Sequence, residues 1–120
     1  MLLSGHTLVV IPAAVRQDGE SLLKFIRENR IDVLDCVPSQ LKMLIAAGFF
    51  EPGQWRPQAV LPGGEAIDSG TWEKLASADQ TEFFNMYGPT ECTVDSTICQ
   101  VSAHPLLPSI GKPIVNAQAY

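Results

Sequence analysis

The stretch Val33-Leu34-Asp35-Cys36-Val37-Pro38-Ser39 shows in seven residues how this chain alternates strands with helices. Residues 33–37 form a short apolar run that predicts a buried strand, and Pro38 ends it because proline has no backbone N–H to donate. Ser39 is placed to cap the helix that follows, and Gly48 is a plausible C-cap for that helix. The stretch therefore predicts one complete strand-helix unit.

The same pattern recurs on both sides of this unit. Further strands are predicted at residues 7–11, 59–61, 81–85 and 97–101. Further helices are predicted at residues 21–29 and after a cap at Asp68 or Ser69. Helices that alternate with short buried strands are typical of a mostly parallel sheet flanked by helices, so we predict an α/β fold.

The last part of the chain does not continue the alternation of strands with helices. Residues 103–113 are rich in proline and predict an extended connector, and residues 118–120 are predicted to start another strand. At 120 residues the chain is long enough for one domain, and we expect residues 1–120 to form a single α/β unit.

Composition and charge exclude several kinds of partner. The hydrophobic fraction is 46% and the charged fraction is 18%, as in ordinary globular proteins. A net charge of −5 argues against nucleic acid or an anionic membrane surface as the main partner. No stretch approaches the roughly 18 apolar residues of a membrane span. The three cysteines form no CxxC pair, which argues against structural zinc and favours a reduced, cytoplasmic protein.

Three unusual segments follow predicted strands. Asp35 lies near the end of the strand at 33–37, Pro62-Gly63-Gly64-Glu65 follows residues 59–61, and Asn85-Met86-Tyr87-Gly88-Pro89-Thr90-Glu91 ends and follows residues 81–85. Ligands of open α/β sheets bind outside the carboxyl ends of the strands. We therefore expect these three segments to converge on one ligand site.

Each signal also has a purely structural interpretation. Gly63-Gly64 could simply make a tight turn, since glycine accepts backbone conformations that other residues avoid. Asp35 could face solvent at a sheet edge, although a carboxylate in an apolar strand needs a partner if it is buried. Asp95 could be a solvated turn carboxylate as easily as a pocket residue.

The run at residues 85–91 combines groups that suit a nucleotide. Tyr87 offers a ring that can stack on a base, Thr90 a hydroxyl for a phosphate oxygen, and Glu91 a hard oxygen ligand for Mg²⁺. The chain contains neither a GxGxxG nor a GxxxxGK[ST] pattern, so the usual dinucleotide and phosphate-loop fingerprints do not apply.

This run resembles the NxYGPTE signature of adenylation domains in nonribosomal peptide synthetases, members of the adenylate-forming enzymes. Residues 1–11, Val37-Pro38-Ser39, residues 61–65 and residues 110–116 also resemble family segments in order and spacing. The resemblance covers essentially the whole chain. It implies the central, flavodoxin-like subdomain of a larger adenylation domain, whose phosphate loop and catalytic lysine would lie outside these residues.

The resemblance implies a two-step reaction. ATP and an amino acid give an aminoacyl adenylate and pyrophosphate, and the acyl group then passes to a phosphopantetheine thiol on a carrier domain. Thr90 is implied to contact the α-phosphate in catalysis and Glu91 to hold Mg²⁺. Tyr87 is implied to stack on adenine and Asn85 to bind its exocyclic amine. The full implied nucleotide site is Gly63, Gly64, Glu65, Asn85, Tyr87, Gly88 and Thr90.

Substrate choice in the family is set by one pocket. Its matching positions here are Asp35, Leu61, Gly63, Met86, Val94 and Asp95. Two carboxylates among apolar side chains imply a polar amino acid, glutamine or glutamate, with glutamine favoured because its amide can donate to an ionised carboxylate. A cationic side chain such as that of ornithine is the next candidate.

The resemblance also implies partners. These are the amino-acid substrate, the remainder of the adenylation domain, and the peptidyl carrier and condensation domains of a synthetase. We expect the chain alone to be inactive as an amino-acid-adenylating ligase. The alternatives are a stand-alone module that binds a nucleotide or amino acid weakly without catalysis, and an exchangeable scaffold subdomain.

Overall fold

The computed structural model describes residues 5–92 and 94–118 of the chain. Its helices are α1 (Gly19–Glu28), α2 (Pro38–Ala46) and α3 (Ser69–Ala76). Its strands are β1 (Val33–Cys36), β2 (Ala59–Pro62), β3 (Glu82–Tyr87), β4 (Thr97–Gln100) and β5 (Lys112–Pro113). Short 3₁₀ turns lie at Val15–Gln17, Thr90–Cys92 and Val101–Ala103.

The five strands form one sheet in the order β1-β2-β3-β4-β5. The pairs β1-β2 and β2-β3 are parallel, whereas β3-β4 and β4-β5 are antiparallel. The predicted α/β class with flanking helices is confirmed. The sheet is mixed because the predicted parallel half continues into an antiparallel half after β3.

The helices cover one face of the sheet. Burial alternates along β1, where Leu34 and Cys36 are buried and Val33 and Asp35 are exposed. Strand order in the parallel part follows chain order, and right-handed crossovers then place α2 and α3 on the same side. We call the opposite side the open face, and define it by Val33, Asp35, Leu61, Phe84, Met86 and Ile98.

The core lies between the helices and the covered face. Helix α1 contributes Leu22 and Ile26, and α3 contributes Trp72 and Leu75, all at most 2% exposed. The side chains of Phe49, Phe50 and Phe83 pack together, with ring centroids 5.2 to 6.2 Å apart.

The helix ends follow local sequence signals. The side chain of Asp18 accepts a hydrogen bond from the Ser21 N–H at 2.8 Å and begins α1 two residues before the predicted start. The C-cap of α2 is Ala47, and the predicted C-cap, Gly48, follows it with φ +93°, while the N–H of Phe49 donates back to the carbonyl of Leu44. Asp68 caps α3, one of the two predicted residues.

The prediction that Ser39 caps α2 is wrong. Val37 is the N-cap residue and Pro38 is the first helical residue, where its missing N–H costs no hydrogen bond. The backbone N–H and hydroxyl of Ser39 instead donate to the carboxylate of Glu65. Pro38 therefore begins the helix as well as ending the strand, which the sequence pattern did not indicate.

The predicted strand at residues 7–11 is also wrong. These residues are irregular, with Leu8 64% and Val10 77% exposed. A strand needs a neighbouring backbone to pair with, and an apolar run alone does not supply one. Of the strand predicted at residues 118–120, Gln118 is irregular and the remaining two residues lie outside the described part of the chain.

Across residues 5–92 and 94–118, the structure has no helix that is both long enough and apolar enough to span a membrane.

Candidate functional site

Three strand ends meet at one edge of the sheet. Because β1, β2 and β3 are parallel, their carboxyl ends point the same way. Asp35 pairs with Leu61, and an isolated bridge joins Gly63 to Met86. The three segments that were predicted to converge are therefore adjacent, and the residues just named line the open face.

The open face brings two carboxylates together. Asp35 is exposed on the edge strand β1, and Asp95 lies in the loop that precedes β4. Partial burial raises the pKa of Asp35, and the negative charge of Asp95 raises it further. The two side chains are thus close enough to repel, although they are 60 residues apart in sequence. Asp35 fits both interpretations, since it lies on an edge strand and also feels the charge of Asp95.

Gly63 leaves little room beside Met86. A Cβ added at Gly63 would lie 3.2 Å from both Cβ and the carbonyl oxygen of Met86, tighter than ordinary side-chain packing. Leu61 and Met86 are half-buried beside it. A glycine here therefore allows the ends of β2 and β3 to approach closely.

The loop after β2 is tied to the start of α2. Gly64 has φ +85°, a conformation that glycine accepts at little cost. The next residue, Glu65, accepts hydrogen bonds from the N–H of Ser39 at 2.9 Å and from its hydroxyl at 3.0 Å. A carboxylate is stabilised at a helix N-terminus by the unpaired N–H groups there. The Glu65 side chain therefore fixes the glycine loop to the first turn of α2.

The segment after β3 folds back on itself. The N–H of Ser96 donates to the carbonyl of Tyr87 at 2.8 Å, and any Cβ at Gly88 would overlap the carbonyl of Val94. Val94 has φ +81°, an outlying value for a β-branched residue, and its side chain is 71% exposed. Gly88 thus permits the close approach that places Val94 and Asp95 over the strand end.

Asn85 and Tyr87 share the side of β3 opposite to Met86, because alternate residues of a strand face the same way. Asn85 is 9% exposed, and its Nδ2 donates to the carbonyl of Ser109 at 2.8 Å. Tyr87, at the end of the strand, is 48% exposed. Its ring is therefore accessible for stacking, while Asn85 is anchored.

Thr90 and Glu91 lie in the exposed 3₁₀ turn Thr90–Cys92. In the part of the chain that the structure describes, no three His, Cys, Asp or Glu side chains are grouped so as to hold a metal ion. Mg²⁺ typically takes one or two protein carboxylates together with substrate phosphates and water. Glu91 fits one such ligand position and does not form a complete protein site.

Two residues that shape this end of the sheet are not indicated as site residues by the sequence pattern. Ser39 holds Glu65, and Ser109 holds Asn85. Each lies more than 20 residues from its partner in sequence. The hydroxyl of Ser39 directly after a strand end is a signal that also predicts helix capping, so the pattern does not indicate its contact with Glu65. Ser109 precedes a segment noted for its family resemblance, and nothing in the sequence indicates its contact with β3.

Comparison with known proteins gives a consistent result. A family model described as "AMP-binding enzyme" matches residues 1–120. The AMB antimetabolite synthetase AmbE of Pseudomonas aeruginosa is 42% identical over 119 residues, 99% of this chain and 6% of that protein. Surfactin synthase subunit 1 of Bacillus subtilis is 33% identical over 133 residues, 99% of this chain and 4% of that protein.

Solved structures agree with the sequence comparisons. A four-domain nonribosomal peptide synthetase bound to AMP and glycine has a TM-score of 0.74 at 32% identity, covering 88% of this chain and 8% of that chain. The α/β arrangement described above is therefore shared with that protein. The chain spans between 4% and 8% of the length of these three relatives.

Proposed function

Because the chain belongs to the AMP-binding enzyme family, we propose that it forms part of an amino-acid-adenylating site used in nonribosomal peptide synthesis. The observation that carries this proposal is the convergence of Asp35, the glycine loop at residues 62–65 and the run at residues 85–91 on one edge of the sheet. A substrate carboxylate and a nucleotide can meet there.

The nucleotide would lie along the end of β3. Tyr87 presents an exposed ring for the adenine, and Asn85 lies two residues away on the same side of the strand. Gly64 is exposed and has open space beside its Cα, so its backbone is accessible to a flat ligand, and Gly63 and Gly88 would line the same end of the sheet. Glu65 is engaged with Ser39, so it would shape the loop around the nucleotide.

The chemistry needs positioning and charge neutralisation more than a protein nucleophile. An oxygen of the amino-acid carboxylate attacks the α-phosphorus of ATP, and the bond from that phosphorus to the leaving pyrophosphate oxygen breaks. Thr90 would donate its hydroxyl to the α-phosphate. Glu91 would hold Mg²⁺, which neutralises phosphate charge when bound. A carrier-domain phosphopantetheine thiol would then take the acyl group and release AMP.

The amino-acid side chain would lie on the open face. Leu61, Met86 and Val94 supply apolar contacts, and Asp35 and Asp95 supply acceptors. A glutamine amide donates to a carboxylate and adds no charge, so we propose glutamine as the substrate and ornithine as its competitor. Glutamate would add a third negative charge beside two carboxylates that already repel each other.

The exposed apolar side chains of the open face are relevant to which domains pack against this chain. Val33 is 41% and Ile98 37% exposed, so apolar side chains remain uncovered beside the pocket. We propose that the remainder of an adenylation domain covers this face, and that carrier and condensation domains act with it. On this basis the isolated chain is expected to bind ligands weakly and to catalyse no ATP–pyrophosphate exchange.

The test is a chemical-shift titration of the ¹⁵N-labelled 120-residue chain with AMP. We expect the largest shifts at Gly64 and Tyr87, and their loss in a Tyr87→Leu variant. Trp55→Leu is the matched control, because Trp55 is a partly exposed aromatic before β2, at the opposite end of that strand. Absence of shifts at millimolar AMP, or equal effects of both variants, would contradict nucleotide binding at this edge.

The same titration tests the amino-acid pocket. Glutamine is expected to shift Asp95 and Met86 more than ornithine does, and glutamate is expected to shift them least. A larger response to ornithine would replace glutamine with a cationic substrate. Robust exchange of pyrophosphate by the chain alone would refute the proposal that the rest of the domain is required.

A further inference from the structure

We infer that Gly88 helps to determine amino-acid selectivity, because its missing side chain lets the end of the loop before β4 pack against β3 and hold Asp95 at the pocket. This inference rests on the proposed binding of an amino-acid side chain beside Asp35 and Asp95. The resemblance implies a role for Gly88 in the nucleotide site alone. Towards the amino acid Gly88 is a positioning residue, because it acts through Val94 and Asp95.

Gly88 is required by a close contact and not by its backbone conformation. Its φ lies outside the positive range that favours glycine. A Cβ added there would overlap the carbonyl of Val94 and lie 2.8 Å from the backbone nitrogen of Ser96. Both groups belong to the backbone, so they cannot turn aside as the end of a flexible side chain can. Any side chain at residue 88 must therefore push residues 94–96, which we call the return segment, away from β3.

The return segment is held in this position by its backbone. The N–H of Ser96 donates to the carbonyl of Tyr87 at 2.8 Å, directly beside the pair that Tyr87 forms with Thr97. Val94 has φ +81°, and a β-branched residue keeps such a conformation only where its surroundings hold it. The Val94 side chain is 71% exposed, so the hold comes from the backbone packed against Gly88 and from the bond to Tyr87.

The position of the return segment decides where the negative charge of Asp95 lies. Asp95 is half-buried in this segment, whereas Asp35 lies on β1, three strands away from β4 in the sheet. Partial burial raises the pKa of Asp35, and the charge of Asp95 raises it further, so the two carboxylates interact across the strand ends. Like charges repel, and a released segment would carry Asp95 away from Asp35. The close packing at Gly88 therefore keeps both acceptors at one pocket.

The first measurement follows the pKa of Asp35 in the ligand-free chain by ¹³C spectroscopy of its carboxyl group. We expect this pKa to fall in Gly88→Ala, in the same direction as in Asp95→Asn, because the charge of Asp95 moves away. The double variant should show no further fall beyond that of Asp95→Asn, since both substitutions remove the same interaction. An unchanged or raised pKa of Asp35 in a folded Gly88→Ala variant would overturn the inference.

Two further variants are matched controls. Gly70→Ala adds the same methyl group at a glycine that also lacks a positive φ, where the nearest atom is the Asp68 Oδ1 at an ordinary 3.5 Å. Ser96→Ala removes a buried hydroxyl that makes no hydrogen bond within the described residues, and it leaves the backbone of the return segment in place. The pKa of Asp35 should be unchanged in both. A fall in either control as large as in Gly88→Ala would overturn the specific role of Gly88.

A measurement on the wild-type chain keeps the inference testable if Gly88→Ala does not fold. An α-proton of Gly88 should show a nuclear Overhauser effect to the amide proton of Ser96, because a Cβ in its place would lie 2.8 Å from that nitrogen. The same amide should be protected from hydrogen exchange by its bond to the carbonyl of Tyr87. Absence of both signals would overturn the inference.

The second measurement compares L-glutamine with L-norvaline, whose apolar side chain lacks the amide. We expect chemical-shift titrations to show that glutamine binds at least about fivefold more tightly to the wild type and to Gly70→Ala. The ratio of the two affinities should fall towards one in Gly88→Ala. An unchanged ratio in a folded Gly88→Ala variant would overturn the role in selectivity. Binding of neither amino acid would refute the proposed function, while the pKa of Asp35 would still decide whether Gly88 positions Asp95.

Discussion

Replacing Trp72 with phenylalanine tests how the proline-rich connector after β4 is attached to the helical layer. Trp72 is 0% exposed, and its Nε1–H donates to the carbonyl of His104 at 2.7 Å. This bond joins α3 to the start of the connector, residues 103–113, which also carries Ser109. The substitution removes the hydrogen bond and part of the buried ring while keeping an aromatic side chain.

Two terms give the expected magnitude. The indole exceeds a phenyl ring by roughly 40 Å³, and a residual cavity costs about 24 cal/mol per Å³, or about 1 kcal/mol. A buried carbonyl that loses its partner costs about 1–3 kcal/mol, and we take the lower half because His104 is exposed and water can reach it. The free energy of unfolding should fall by about 2–3 kcal/mol, which lowers the melting temperature by about 8–12 °C in a domain of this size.

The assay is urea unfolding followed by far-ultraviolet circular dichroism, with Trp55→Phe as the matched control. Trp55 is 37% exposed, and its Nε1–H makes a longer bond of 3.4 Å to the carbonyl of Ile31. Its substitution should cost less than about 1 kcal/mol. Equal losses in the two variants would show that burial and the bond to His104 do not anchor the connector.

Substitutions at Glu65 and at Asp35 should change the free energy of unfolding in opposite directions. Ser39→Ala and Glu65→Gln should each lower the free energy of unfolding by about 1 kcal/mol in urea titrations, since each weakens the contact at the first turn of α2. Asp35→Asn should stabilise the chain near neutral pH, measured by urea unfolding at a series of pH values. The pKa of Asp35 is raised on folding, so its ionisation costs stability as pH rises through the folded pKa, and the gain should vanish below the unfolded pKa of about 3.9.

Glu73 provides the control for Glu65. It lies exposed on α3, and within the described residues its carboxylate makes no hydrogen bond or ion pair, so Glu73→Gln should change stability by less than about 0.5 kcal/mol. For Asp35, the variant Asp95→Asn should reduce the pH dependence without abolishing it, because burial is the larger cause of the raised pKa. A stability gain in Asp35→Asn that persists at pH 3 would contradict the assigned cause.

Much of the fold follows from local sequence. The strands at 33–36, 59–62, 82–87 and 97–100 lie within about two residues of their predicted bounds, because short apolar runs closed by proline or glycine are strong strand signals. The run at 7–11 carries the same signal and forms no strand. Propensity is local, whereas pairing depends on whether a neighbouring backbone is within reach.

One part of the candidate site can likewise be predicted from sequence, and another part cannot. The order of parallel strands brings Asp35, Gly63 and Tyr87 to one edge, and strand ends can be predicted from sequence. The contacts of Ser39 with Glu65 and of Ser109 with Asn85 could not be predicted from sequence. Serine is a common residue, and its hydroxyl and backbone groups can pair with many donors and acceptors. Only the path of the backbone between distant residues selects which pair forms.

On the open face, the sequence pattern predicts burial that the helices of the chain do not provide. In β1, β2 and β3 apolar residues occupy both faces, a pattern that predicts burial on both sides, yet helices cover only one. A strand exposed to water on one face normally alternates apolar with polar residues, and Leu61, Phe84 and Met86 break that alternation while remaining half-buried. The polar residues that β1, β2 and β3 place on this face are Asp35 and Glu82, and Asp35 lies at the end nearer to Asp95. An apolar surface that carries two carboxylates at one end suits an amphipathic ligand or a covering domain better than it suits water, and the proposed function requires both.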